Sequence, residues 1–256
     1  MLDFKRVFTS APKKPENVEL RPLLTPWGER LAEDDKRESQ HPHPQFARER
    51  FVLLDGRWEY CFVAVDDAVT AWRTAEPPID FEGPIRVPFS PEAPLSGVNR
   101  QLKPDELLWY KTTFRLSSDL NVFTTTDRCL LHFEAVDYAC SCYCNGRSVG
   151  EHVGGYLPFF FDITDVLVDG ENELTLCVYD PGDTGVQLRG KQRLERGGIW
   201  YTAQSGIWQS VWLEPVPERH ITSLEIETHP DTGELVLNLT VSHGPSDGTG
   251  QHGPIT

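Results

Sequence analysis

The sequence lacks the features that would place this protein in a membrane or on a nucleic acid. No apolar run approaches the roughly 18 residues that a membrane-spanning helix requires. Lys and Arg number only 24 against 39 Asp and Glu, so the formal net charge of the 256 residues is −15. The basic residues form no cluster of the kind that binds phosphate groups. These absences exclude a membrane protein, and neither nucleic acid nor an anionic membrane surface is expected as a partner.

The N-terminal residues do not show the pattern expected of a secretory leader. Lys13 and Lys14 follow the basic pair Lys5 and Arg6 before any apolar segment has formed, which is not the pattern of a signal peptide. The chain is therefore expected in the cytoplasm, where cysteine thiols stay reduced.

Three of the six cysteines alternate along one segment, as Cys140, Cys142 and Cys144. On a strand, this spacing puts the three thiols on one face at steps of roughly 7 Å. Such steps are too long for a tetrahedral zinc site, and the sequence contains no Cys-x-x-Cys pair. The cysteines are predicted to be buried core residues, and neither a metal nor a cofactor is expected.

Short aromatic and β-branched segments separated by turn residues are typical of strands. Asn145 and Gly146, between two such segments, predict a two-residue type I′ hairpin turn. Helical periodicity is weak, with one turn at most over residues 163–167. Many short strands and almost no helix predict an all-β fold, a jelly-roll β-sandwich of about eight strands.

Three regions are expected along the chain. Residues 1–50 are rich in proline and charge, which predicts an extended N-terminal arm. Residues 51–217 carry the strand pattern of the sandwich. Within residues 218–256, two strand-like runs at 220–228 and 234–241 precede a glycine-rich tail. Because two strands cannot form an independent domain, this last region is expected to be the truncated start of a second β-sandwich.

Eight segments, taken in their order and spacing, carry a resemblance to a known family. They are LDGRWEY (54–60), WYKTTF (109–114), LHFEAVD (131–137), NGRSVGEH (145–152), GGYLPFFFDIT (154–164), GENEL (170–174), RGKQ (189–192) and SGIWQSVWLE (205–214). Together they resemble the N-terminal sugar-binding domain of glycoside hydrolase family 2, which includes β-galactosidases and β-glucuronidases. The residues after 218 are similar to the first strands of the immunoglobulin-like domain that follows in this family.

The resemblance implies a galactose-binding-domain-like jelly roll, followed in complete enzymes by an immunoglobulin-like β-sandwich and a (β/α)₈ barrel. The barrel carries the two glutamates of a retaining β-glycosidase, which hydrolyses O-glycosidic bonds. A barrel needs about 250 residues, and only 39 of the 256 residues follow position 217. The pair Asn172 and Glu173 looks like the acid/base motif but matches a turn of the family. No catalytic residue is therefore expected in this chain.

Candidate sugar contacts lie in a glycine-rich loop between predicted strands. Sugar hydroxyls are bound by carboxylate, guanidinium and amide groups, whereas the C–H face of a sugar ring packs on an aromatic side chain. The loop supplies both kinds of group, as Asp180, Asp183, Arg189, Lys191, Gln192, Trp200 and Tyr201. The resemblance implies that this loop reaches toward the mouth of the barrel, and it adds Glu92 from a second loop.

Alternatives remain for several of these residues. Trp200 matches the position of the galactose-binding acid of bacterial β-galactosidases, so Asp180 or Asp183 would have to replace that acid. Alternatively, the acids and bases of the loop pair with one another and only hold its shape. His152 and Tyr156 either place polar groups at the rim of the sandwich or set a turn and fill the core.

Three functions are open at this point. The first is the sugar-binding and scaffold region of a β-galactosidase-like enzyme of carbohydrate metabolism, which binds a terminal β-linked sugar beside the downstream catalytic barrel. The second is a free-standing carbohydrate-binding module without hydrolase activity, and the third is a domain that binds another protein. The first is favoured because the matching segments belong to the enzyme's scaffold domain. Assembly into a homo-oligomer is left open.

Overall fold

The computed structural model describes residues 23–33, 40–115 and 127–242. The chain divides into two compact units, residues 1–34 and residues 35–256. Within the described ranges, no helix is long and apolar enough to cross a membrane.

The described part of the first unit contains a helix, α1 (Pro26–Glu33). Thr25 begins it, because its hydroxyl accepts a hydrogen bond from the Gly28 amide at 3.2 Å and its carbonyl accepts one from Glu29 at 2.9 Å. Pro26 suits the first turn, where its missing amide proton has no partner to lose. An extended arm was predicted for residues 1–50, whereas residues 26–33 form helix α1. The reason is that Pro26 occupies the first turn, where proline starts a helix instead of preventing one.

The second unit is almost entirely β-structure. Its strands in the described ranges are β1 (Val52–Leu53), β2 (Gly56–Ala64), β3 (Gly83–Val87), β4 (Glu106–Arg115), β5 (Asp127–Phe133), β6 (Val136–Asp137), β7 (Ala139–Cys144), β8 (Arg147–Val153), β9 (Phe159–Asp162), β10 (Glu171–Tyr179), β11 (Gln192–Arg193), β12 (Tyr201–Thr202), β13 (Gly206–Ile207), β14 (Val211–Pro217), β15 (Ile221–His229) and β16 (Glu234–Val241). A short helix α2 (Ala68–Ala71) and 3₁₀ turns at Pro44–Phe46, Pro94–Ser96 and Thr164–Val166 complete the elements. The all-β prediction is confirmed.

Two antiparallel sheets form the sandwich. The larger has the strand order β3-β2-β4-β10-β7-β8, and the smaller has the order β1-β14-β5-β9. Sequence neighbours such as β4 and β5 lie in different sheets, so the chain crosses between the layers as it does in a jelly roll. The sheets contain ten strands where about eight were expected, partly because β1 is only two residues long.

Strand β4 shows how the larger sheet buries both of its faces. Leu108 and Tyr110 pack between the two sheets, whereas Leu107 and Trp109 pack on the opposite face with Trp72, which follows α2. All five side chains are at most 2% exposed. Strands that are buried on both faces read as continuous apolar runs, which explains the Leu-Leu-Trp-Tyr sequence.

The cysteine prediction is confirmed. Cys140, Cys142 and Cys144 belong to the core between the sheets, and each is fully buried. The predicted hairpin turn that follows is also present, because Asn145 and Gly146 have φ of 52° and 73°. Positive φ at both central residues is the requirement of a type I′ turn.

Residues 40–50 lie against the outer face of the smaller sheet. Arg48 Nη1 is 2.7 Å from the buried Glu214 Oε1, and His43 forms an ion pair with Glu134. The hydrogen bond to Glu134 raises the pKa of His43. Trp212 completes this contact, since its indole N–H donates to Glu134 at 2.7 Å. A segment without a helical or strand pattern is thus held in place by side chains.

Strands β15 and β16 form a separate two-stranded hairpin. Leu224 opposes Leu239 and Ile226 opposes Leu237, so one face of the hairpin is apolar. Arg48 also donates to the Ile221 carbonyl, which connects the start of β15 with residues 40–50. The two predicted strands of this region are confirmed in the structure, and the assignment to an immunoglobulin-like domain stays an expectation from the resemblance.

Candidate functional site

The glycine-rich loop after β10 is folded through its own backbone. Gln192 and Tyr201 pair in a short parallel ladder, and the Gln204 amide donates to the Gln192 side chain at 2.8 Å. Between them, Gly197 and Trp200 form a tight turn. The loop therefore presents a defined surface instead of an irregular excursion.

Both acids of this loop bond to backbone amides. Asp180 is 6% exposed and accepts from Gly182 at 2.8 Å, and burial raises its pKa to about 6. Asp183 accepts from the Leu194 amide at 3.3 Å. The Asp180 contact closes a turn, and the Asp183 contact joins residues that are 11 apart in the loop. In each carboxylate, one oxygen is therefore already bonded to the loop backbone.

The basic side chains of the loop do not pair with its acids. Arg189 donates to the Gly185 carbonyl at 3.2 Å, and within the described chain no ion pair joins Arg189 or Lys191 to Asp180 or Asp183. Hydrogen bonds to the backbone, and not ion pairs between these acids and bases, therefore hold the loop.

An open depression lies at the base of the loop. It is lined by Lys191, Gln192, Tyr201, Thr202 and Gln204. The Tyr201 side chain is 70% exposed, and Lys191 is also exposed. The depression combines an aromatic ring with amide, hydroxyl and ammonium groups.

Trp200 is placed differently from Tyr201. Its ring is half-buried under Arg193, whose guanidinium carbon lies 3.9 Å from the ring centroid. This cation–π contact covers one face of the indole. Of the two aromatic residues predicted to contact a sugar, Tyr201 is the one with an open ring.

Glu92 points into the protein. It accepts hydrogen bonds from the Leu102 amide at 3.2 Å, the Ser205 amide at 3.1 Å and the Ser205 hydroxyl at 2.7 Å. Burial raises the pKa of Glu92 to about 7. Ser90 in the same loop donates to Gln204. Glu92 therefore connects two loops next to the depression, where sequence reasoning placed a direct sugar contact.

A second polar patch, which sequence reasoning did not assign, lies beside Glu92. Asp137 at the end of β6 pairs with Gly206 and is 5% exposed. Burial, together with the charges of Asp180 and Glu92, raises the pKa of Asp137 to about 7. The signal in the sequence was an acid that directly follows an apolar strand, but its surroundings come from distant segments.

Aromatic residues border this patch. Tyr156 is 41% exposed and contacts Trp208 edge to face, with ring centroids 6.1 Å apart. The Trp208 indole donates to the Gly155 carbonyl at 2.8 Å. Trp208 is only half-buried, at the rim. His152 stacks on Phe159 at 3.8 Å and bonds to the turn, which is the structural alternative given for it.

Asn172 has a structural role. It is fully buried at the start of β10, where its side-chain oxygen accepts from Val168 and Asn145. The neighbouring Glu173 lies within β10, where it pairs with Thr113 of β4, so the pair stands at the start of the strand and not in the turn before it. In the described ranges, no group of three or more His, Cys, Asp or Glu side chains is placed to hold a metal ion.

Known proteins share this domain. The sequence signature described as "Glycosyl hydrolases family 2, sugar binding domain" matches residues 51–217. A putative β-glucuronidase of Formosa agariphila is 32% identical over 141 residues, which are 53% of this chain and 15% of that protein. A β-galactosidase of Alteromonas mediterranea is 28% identical over 215 residues, which are 74% of this chain and 18% of that protein.

Solved structures give the same fold. The β-glucuronidase of Faecalibacterium prausnitzii is similar with a TM-score of 0.55 and 22% identity, over 77% of this chain and 37% of that one. Of the two curated relatives, from Formosa agariphila and Alteromonas mediterranea, the chain spans less than a fifth of the length. Its signature match nevertheless covers well over half of its own residues, so the chain belongs to glycoside hydrolase family 2, and residues 51–217 are the sugar-binding domain of that family.

Proposed function

We propose that this chain is the N-terminal sugar-binding and scaffold region of a retaining, β-galactosidase-like glycosidase. The two catalytic glutamates belong to a downstream barrel, and this region supplies one wall of the sugar pocket. The proposal rests on the family assignment and on one observation: the open Tyr201 ring and the polar groups of Lys191, Gln192, Thr202 and Gln204 share one depression.

The chemistry of the depression suits a terminal β-linked sugar. An exposed aromatic ring packs against the C–H face of a pyranose, while amides, hydroxyls and an ammonium group exchange hydrogen bonds with its hydroxyls. Asp180, Asp183, Arg189 and Glu92 hold the two loops that form this wall, and Trp200 supports it from beneath Arg193. One wall alone buries little of a ligand, so weak binding by the isolated chain is part of the proposal.

A titration of the chain with methyl β-D-galactopyranoside, followed by amide chemical shifts, tests the proposal. We expect shifts at residues 191–204 with low affinity, and their loss in Tyr201→Ala. Leu188→Ala is the matched control, because Leu188 is an 81% exposed apolar residue of the same loop. Shifts that persist in Tyr201→Ala would contradict the proposal.

Two further measurements separate the alternatives. Hydrolysis of an aryl β-galactoside by the purified chain would contradict the assignment of catalysis to a downstream barrel. Micromolar affinity for a mono- or disaccharide would instead favour a free-standing carbohydrate-binding module. A cytoplasmic location belongs to the proposal on the sequence grounds given above, and fractionation of source cells tests it.

A further inference from the structure

The patch around Asp137 has an acceptor group without a partner. The Asp137 side chain is nine-tenths or more buried, and within the described residues it receives no hydrogen bond. Gly155 lies directly against it, since a Cβ at this position would come within 2.3 Å of Asp137 Oδ1. Its oxygens are not sealed from solvent, so they can accept a hydrogen bond from a donor outside the domain.

The surroundings of Asp137 select the chemistry of that donor. Tyr156 and Trp208 form an aromatic corner beside it, and the bond from Trp208 to the Gly155 carbonyl holds the turn. An acceptor next to partly exposed aromatic rings suits a ligand that brings hydroxyl donors together with C–H surface. A polyhydroxylated ring has both.

One short segment of chain links the depression with the patch. Gln204 lines the depression, Ser205 bonds to Glu92, Gly206 pairs with Asp137, and Trp208 borders the patch. Residues 205–207 are buried between the two surfaces, and the four-residue step from Gln204 to Trp208 spans at most about 14 Å, a distance that a short oligosaccharide can bridge.

We propose that Asp137, Tyr156 and Trp208 form a second saccharide contact, which accepts a hydroxyl of a neighbouring sugar unit. This inference rests on the proposed function, because it extends the same sugar-binding face. Asp137 accepts the hydroxyl proton in a hydrogen bond, and Tyr156 packs on the ring.

Chemical-shift mapping of the full chain with lactose, beside methyl β-D-galactopyranoside, tests this contact. The Trp208 indole N–H is the reporter, because it is fixed at the edge of the patch. Lactose is expected to shift the Trp208 and Tyr156 signals together with those of residues 191–204. In Tyr156→Ala, affinity for lactose should fall several-fold while affinity for the monosaccharide stays unchanged.

Asp137→Asn should also weaken lactose binding. Val153→Ala, at the exposed last residue of β8, is the matched control. Tyr156→Ala is at an exposed position and keeps the test valid if Asp137→Asn does not fold. Shifts at residues 191–204 without any at Trp208 would overturn this inference and leave the proposed function standing. No shift at either place would overturn both. A shift of the Trp208 signal on addition of calcium chloride alone would show that the patch binds a cation, and it would overturn the saccharide contact.

Discussion

The sandwich and the C-terminal hairpin use the same strand pattern and differ in what covers them. Leu131 in β5 is fully buried between the two sheets, whereas Leu237 in β16 is 52% exposed. Each stands in a row of apolar residues at alternate positions, Cys129-Leu131-Phe133 in β5 and Leu235-Leu237-Leu239 in β16, and each opposes an apolar partner across the ladder. Alternation is enough to form paired strands, but burial needs a second layer, which the sandwich has and the described hairpin does not.

The sandwich and the hairpin are also stabilised by different kinds of contact. In the sandwich, sheet pairing and the core act together, so each buried side chain contributes to one cooperative structure. In the hairpin, the cross-strand pairs Leu224–Leu239 and Ile226–Leu237 are local contacts. Substitutions matched between the two regions should therefore differ strongly in their effect on unfolding.

The largest effect is expected from a core truncation. Leu131→Ala should lower the free energy of unfolding by roughly 2–5 kcal/mol, because it leaves a cavity between the sheets. Leu237→Ala is the matched hairpin variant and should cost far less, since half of its side chain is already in water. Denaturant unfolding followed by tryptophan fluorescence measures both. Equal losses would show that the hairpin is part of the sandwich's cooperative unit.

Two glycines with nearly identical φ give the next comparison. Gly206 in β13 has φ of 71°, and Gly233 in the hairpin turn has φ of 70°. A Cβ on Gly206 would come within 2.1 Å of the Tyr110 hydroxyl, whereas one on Gly233 would meet no atom within 4 Å. Gly233→Ala should therefore cost only the backbone strain of about 1–2 kcal/mol.

Gly206→Ala should cost that strain and a further 1–3 kcal/mol, roughly, for the collision in a packed core. Thermal melts of the two variants measure the difference. Equal falls in the two melting temperatures would contradict the close contact between the Tyr110 hydroxyl and Gly206.

A smaller effect is expected from Asp137→Asn, and it depends on pH. Burial, with Asp180 nearby, raises the pKa of Asp137 from 3.8 to about 7. Because the folded state has the higher pKa, the stability linked to this group is fully present below pH 3.8 and is lost as the pH rises through about 7. Asp137→Asn should therefore lose less stability than the wild type as the pH rises from 3.8 to about 7.

Denaturant unfolding at several pH values measures this difference. Glu227→Gln removes one acidic charge from the exposed surface of the hairpin and is the charge-matched control. A pH profile of Asp137→Asn that parallels the wild type would contradict the assignment of this titration to Asp137.

The smallest effect is expected from removal of the hairpin itself. A chain that ends after Pro217 keeps all ten strands of the two sheets and loses the contact of Arg48 with the Ile221 carbonyl. Its sandwich should still melt cooperatively near the temperature of the full chain. Loss of cooperative melting would show that β15 and β16 support the sandwich more than their exposure indicates.

Much of the strand pattern could be read from the sequence because its causes are local. Asn145 and Gly146 allow positive φ, and the alternation of Cys140, Cys142 and Cys144 reports one face of a strand. Helix α1 was missed because its first-turn proline looks like a breaker. The orientation of Glu92 was also missed, since its partners Leu102 and Ser205 are 10 and 113 residues away along the chain.

Sequence pattern and motif order alone establish the all-β class, the resemblance over residues 51–217 and the set of polar and aromatic residues in the loop after β10. Which of those residues reach a ligand is decided only by the tertiary structure. Asp180 and Glu92 are turned inward by hydrogen bonds, Tyr201 is left open, and Asp137 meets Gly155 across the sandwich rim. The physical reason is that strand formation depends on neighbours in sequence, whereas burial and hydrogen-bond satisfaction depend on segments that meet only after folding.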